Sequence, residues 1–167
     1  SGAISLAKEI KKNNPSSIIS IHGSHVQALP VETMENEKSI NFVFTNEGVY
    51  SLWNVLSLQK INNESVKKIK GLCVRDGDKV FMTPPEKIVP QNRMDIDLPG
   101  YAWDLLPYKK KPLDLYRAHF FHANYDHDDR TPFAAIYTSL GCKFNCNFCM
   151  INMINRDDNE EVGNAGD

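Results

Sequence analysis

Three observations place this sequence in the α/β class. Helix-like and strand-like stretches alternate through the first sixty residues or so, the signature of βαβ units and a parallel sheet. A hairpin pattern with an Asp-Gly turn follows at 71–83. Near the carboxyl end, the apolar run Ala134 to Leu140 reads as a strand that passes through Gly141 into three closely spaced cysteines.

The elements follow in order. Ile4, Ala7 and Ile10 recur at helical spacing, with Leu6 beside them, and predict a helix over 3–12 that Asn13-Asn14-Pro15 stops. Ser17 to Ile21 is a short β-branched strand ending in the turn His22-Gly23-Ser24-His25. Pro30 opens a short helix through Asn36. Phe42 to Thr45 is the second strand, ending at Asn46-Glu47-Gly48. Val49, Leu52, Trp53 and Leu56 stand at i, i+3, i+4 and i+7, an amphipathic helix expected to face a core. Gln59 to Lys70 is polar and reads as a surface connection, with Lys67, Lys68 and Lys70 on a solvated face. Gly71 to Arg75 and Lys79 to Thr83 are the hairpin strands, and Cys73 is a small buried hydrophobe on the first of them. From Glu86 to Pro112 the prolines at 90, 99, 107 and 112 predict an extended, irregular connection, with Tyr101 and Trp103 as packing anchors.

Composition narrows the function. Nineteen Lys and Arg against 21 Asp and Glu leave a net charge of −2, which makes no whole-chain case for nucleic acid. No apolar run approaches the roughly 20 residues of a membrane span. The amino-terminal residues lack a basic region followed by a long apolar core, so a cytoplasmic location is expected, where thiols stay reduced.

Chemistry concentrates in Cys142-Lys143-Phe144-Asn145-Cys146-Asn147-Phe148-Cys149, a C-x3-C-x2-C loop. A structural zinc site takes four closed ligands, and an ordinary iron–sulfur cluster takes four cysteines. Three thiolates suggest a cluster with one iron left open for a small molecule. Other readings stay open at the level of the residues: a small zinc site completed by His119, His122 or His127, or a disulfide. The stretch Tyr116 to His122 and the run Asp126 to Arg130 match no tight metal spacing and read as a solvated or substrate-side loop.

The cysteine spacing, with the aromatic Phe148 before the last cysteine and a strand before the first, resembles the signature of the radical S-adenosylmethionine enzymes. The resemblance implies a four-iron, four-sulfur cluster on Cys142, Cys146 and Cys149, with S-adenosylmethionine on its open iron and near Tyr137 and Phe148. It implies generation of a 5′-deoxyadenosyl radical, an electron donor such as flavodoxin or ferredoxin, and an unknown small-molecule substrate. The opening segment resembles the carboxyl-terminal half of the flavodoxin-like, Rossmann-like cobalamin-binding domain that precedes many such barrels. There Gly23, Ser24, Glu47 and Gly48 would fall on cobalamin-binding turns, cobalamin itself requiring the front half of that domain. Leu98 to Pro107 resembles the segment joining the two domains. With cobalamin present, methyl transfer to an unactivated carbon is a common outcome in that family.

The resulting division is a partial cobalamin-binding-like α/β domain over 1–58, a hairpin and Pro-rich linker over 59–112, and the start of a radical (β/α) barrel over 113–167. A full barrel needs on the order of 200 residues, so the expectation is an internal slice of a longer enzyme. The alternatives are a non-catalytic binding module or fragment and a small zinc-binding protein.

Overall fold

The computed structural model describes residues 2–106 and 146–149. Helix α1 (Gly2–Asn13) turns Ala7 and Ile4 inward. Lys11 and Lys12 lie in its last turn, where cations complement the carbonyl end of the helix, and Lys11 also donates to Ser17 O. Strand β1 (Ser20–Ile21) leads to two short helices, α2 (Ser24–Ala28) and α3 (Pro30–Asn36). Pro30 sits in the first turn of α3, where its missing N–H costs nothing. Strand β2 (Phe42–Phe44) runs parallel to β1, with Ser20 beside Phe42 and Ile21 beside Val43. Helices α4 (Val49–Leu56) and α5 (Asn63–Val66) follow, then strands β3 (Leu72–Asp76) and β4 (Lys79–Met82). A short 3-10 turn, Gln91–Arg93, leads into α6 (Met94–Asp97), and a second turn spans Trp103–Leu105.

The four strands form one sheet in the order β1-β2-β3-β4. β3 lies antiparallel to β2, Val43 opposite Cys73, and β4 antiparallel to β3. The parallel pair alone would be too small for a stable sheet. The hairpin, assigned from sequence to a separate stretch starting at 59, supplies the missing strands and makes the sheet mixed. Alternation along each strand sends side chains to two cores. Val43 and Cys73 point to one face, with Ala7, Val26, Met34 and Ile40. Phe42, Phe44, Leu72 and Val74 point to the other, with Val55 and Val66. Helices thus cover both faces in three layers. Arg75 reaches from β3 to donate to Met34 O of α3. Cys73 is fully buried, as expected, and burial pushes its thiol up to about 11.

Four expectations change. Residues 24–28 form a helix where a turn was read. Asn62 caps α5 within the supposed surface connection: its side chain accepts from Ser65 N at 2.9 Å, while Ser65 Oγ accepts from Asn62 N at 3.0 Å. Lys67 is not a free solvated cation, since it pairs with Glu64 at 2.8 Å and Asp76 at 3.0 Å; Lys68 and Lys70 are exposed. The largest change is at α4. The stripe of Leu52, Trp53 and Leu56 faces outward, and the helix buries Ser51 and Val55 instead.

The reason lies at Gly71, whose φ of +73° is left-handed. A β-carbon there would collide with Ser51 Oγ and come within 2.9 Å of Glu86 Cβ. Ser51 donates to Lys70 O at 2.9 Å. A small polar residue facing a glycine lets α4 lie close to the sheet, and that contact sets which side of the helix turns inward.

Candidate functional site

The loops at the carboxyl ends of β1 and β2 lie side by side, as parallel pairing requires. In open α/β sheets this edge is where ligands bind. Gly23, Ser24, Glu47 and Gly48 all fall here. Gly23 (φ +137°) and Gly48 (φ +79°) both need glycine's freedom. Gly23 precedes α2, and a β-carbon there would meet nothing within 4 Å. Ser24 and His25 are exposed.

Around Gly48 the edge is filled. Asn46 is almost completely buried. Its side chain accepts from Gly48 N at 3.0 Å and donates to Glu86 O at 2.6 Å. Its carbonyl accepts from the Gln27 amide. His22 Nε2 stands 3.1 Å from both Asn46 O and Gln27 Nε2. The His22 ring meets Phe44 edge-on at 6.3 Å, and a β-carbon on Gly48 would lie 3.2 Å from it.

Glu47 turns away from this cluster and accepts from Val89 N at 3.0 Å. Burial pushes its carboxyl above the ordinary glutamate range, and the Val89 bond offsets part of that. Glu86 is buried with its carboxylate held by Asn54 at 3.0 Å and Lys87 N at 3.0 Å. The segment leaving the hairpin is thus fastened across the ends of β2 and α4. Further along, Tyr50 donates to Asp97 at 2.6 Å, and Arg93 grips the same carboxylate at 2.7 and 3.1 Å. The Arg93 bonds hold the Asp97 carboxyl below its usual range. Tyr101 and Trp103, read as anchors, stack on one another with ring centres 5.1 Å apart.

Sequence reasoning placed two glycine turns at this edge and missed the polar side chains that tie it. For Asn46 a signal existed: Asn-x-Gly after a strand is a turn in which the Asn side chain caps the backbone two residues on. Gln27, Asn54 and Glu86 carried no local signal, because their partners are 19, 32 and 40 residues away in sequence.

Of the cysteine loop, residues 146–149 are described. Cys149 N–H donates to Cys146 O at 3.0 Å, so Cys146 and Cys149 bracket a single turn. Cys146 is exposed, Cys149 half-buried, and Phe148 is 89% exposed. Cys142 and Tyr137 lie outside the described residues, as do His119, His122 and His127. Among the described residues no group of three or more His, Cys, Asp or Glu side chains converges to hold a metal ion. Nor is any helix there long and apolar enough to cross a membrane.

No family model matches the chain. Over 147 residues, 88% of its length, it is 33% identical to the uncharacterized methyltransferase PH0819 of Pyrococcus horikoshii. It spans 28% of that protein's length, so this chain is homologous to a portion of a protein named as a methyltransferase.

Proposed function

We propose that this chain belongs to an S-adenosylmethionine-dependent methyltransferase of the radical type. It would supply the iron–sulfur loop and an α/β domain beside it. The observation that carries the reading is C-x3-C-x2-C at Cys142, Cys146 and Cys149 with Phe148 before the last thiol. The name of the Pyrococcus protein supports the methyl-transfer part. The turn at 146–149 fits the donor set, since it brings two thiols to one short stretch with Cys146 open to solvent.

Cys142, Cys146 and Cys149 would hold a four-iron, four-sulfur cluster, leaving one iron for the amino and carboxylate groups of S-adenosylmethionine. Such a cluster, when bound, supplies the electron that cleaves the sulfonium C–S bond. Phe148 and Tyr137 would contact the cosubstrate, and a low-potential protein donor such as a flavodoxin or ferredoxin would deliver electrons. Cobalamin, which the resemblance ties to Gly23, Ser24, Glu47 and Gly48, would need the front half of such a domain as well, and no step is routed through that cofactor.

Anaerobic reconstitution with iron and sulfide, followed by absorbance and electron paramagnetic resonance, tests the reading. The expected result is a reduced cluster whose signal changes when S-adenosylmethionine is added, and which Cys146→Ala fails to assemble. An identical cluster in Cys146→Ala would sink it. A second reading, a non-catalytic binding module, is favoured by the outward-facing apolar side of α4 formed by Leu52, Trp53 and Leu56. Formation of 5′-deoxyadenosine by the reduced, reconstituted chain separates the two, because a module would form none.

A further inference from the structure

Cys146-Asn147-Phe148-Cys149 is a C-x2-C unit folded as a turn. Cys149 N–H donates to Cys146 O at 3.0 Å, the i to i+3 bond that closes a four-residue turn. Such a turn holds its first and last α-carbons within about 7 Å, and a disulfide spans α-carbons about 4.4–6.8 Å apart. The backbone is therefore already drawn in to the range a bridge needs, and no long loop has to close. Cys146 is exposed and Cys149 half-buried, so one thiol is open to an oxidant with a second thiol three residues behind it. Cys73, by contrast, is fully buried in β3, which keeps it out of exchange. Cys142, four residues before Cys146, is the competing partner and lies outside the described residues.

We propose that in the metal-free chain Cys146 and Cys149 form a reversible dithiol–disulfide pair, oxidised by a low-molecular-weight disulfide such as oxidised glutathione. The Cys146 thiolate attacks one sulfur of the oxidant, forming a mixed disulfide and releasing one glutathione thiolate. The Cys149 thiolate then attacks the Cys146 sulfur, and the second glutathione leaves. The two cysteine thiols give up two protons and two electrons, and the disulfide of the oxidant is reduced to two thiols. The turn favours the second step because it holds the attacking thiol beside the mixed disulfide. The product ties up two of the three thiolates in the loop, so reduction has to precede cluster assembly. That consequence rests on the radical-enzyme reading above; the disulfide itself does not.

Trypsin separates the candidate pairings, because Lys143 divides Cys142 from the other two thiols and Arg130 and Arg156 bound the two products. The full chain, stripped of metal, is treated with oxidised glutathione, quenched with acid, unfolded, alkylated with iodoacetamide and digested. The expected result is a peptide 144–156 without label and lighter by two hydrogens, with Cys73 and Cys142 alkylated. Dithiothreitol before the quench restores the label at Cys146 and Cys149. Cys149→Ser should stop at the mixed disulfide on Cys146. In urea, where the turn is lost, Cys142 should compete and peptides 131–143 and 144–156 should appear joined. The proposal is overturned if the native chain yields those joined peptides, stops at the mixed disulfide, or gives the same products with and without urea. Reconstitution of the oxidised chain without a reductant should fail to build the cluster until dithiothreitol is added. A light peptide 144–156 from a chain that builds no cluster even when reduced sustains the disulfide and sinks the radical-enzyme reading alone.

Discussion

Replacing Gly71 by alanine isolates the contact that orients α4. Two costs add. Alanine at φ +73° loses about 1–2 kcal/mol to the left-handed backbone. Its β-carbon would then overlap Ser51 Oγ and Glu86 Cβ, and overpacking of this kind costs about 1–3 kcal/mol more. Gly77 is a natural control. Its φ is +59°, but a β-carbon there would meet nothing within 4 Å, so Gly77→Ala bears only the backbone cost. Urea unfolding of the full chain by circular dichroism should give a loss of about 2–5 kcal/mol for Gly71→Ala against about 1–2 kcal/mol for Gly77→Ala, at unchanged m-value. Ser51→Ala in the Gly71→Ala background removes one of the two overlaps, so the double variant should be more stable than the sum of the singles by at least about 0.5 kcal/mol. Equal losses for the two glycines would show that Ser51 and Glu86 yield freely, and the account of why α4 turns Ser51 inward would fail.

Other predictions follow from the same network. Asn46→Ala removes a bond to Glu86 O and one from Gly48 N and leaves buried groups unpaired, which should cost about 2–4 kcal/mol in urea; a loss under about 0.5 kcal/mol would contradict the burial seen here. Glu47 is protonated more readily folded than unfolded, so its contribution falls as pH rises from the ordinary glutamate range through its raised folded value. Glu47→Gln should remove that part of the slope in a pH series of unfolding midpoints, and an unchanged slope would refute the assignment. Cys73, buried and raised to about 11, should resist iodoacetamide near neutral pH while exposed Cys146 is alkylated; peptide mapping that finds Cys73 labelled first in the native chain would count against the core described.

Much of the fold was legible because local chemistry decides it. Pro30 opens α3, the Asp-Gly turn joins β3 to β4, and β-branched or aromatic runs mark the strands. Periodicity found α4 but chose the wrong side. An apolar stripe says only that something covers it, whereas the inward face was set by Ser51 meeting Gly71 twenty residues later. Sheet order was hidden for a similar reason. Nothing within 71–83 says that Val43 will pair with Cys73. The short helix at Met94–Asp97 lies among prolines that argued for extended chain, and its carboxylate is tied to Tyr50, 47 residues earlier. At the β1/β2 edge, glycines announced the turns, while the side chains that fill them depend on long-range partners. The cysteine spacing was plain from sequence alone because three ligands within eight residues need no tertiary information.

The three fasteners on the stretch after the hairpin bear on mechanics. Asn46 holds Glu86 by its carbonyl, Asn54 holds it by its carboxylate, and Glu47 holds Val89 by its amide. Tension drawn through the polypeptide at Val89 is therefore handed to β2, an interior strand hydrogen-bonded on both sides, and not to the outermost strand β4 that precedes it in the chain. The exit path hangs from the middle of the sheet like a rope tied to a joist, so pulling on it loads an interior strand before it can peel the hairpin away.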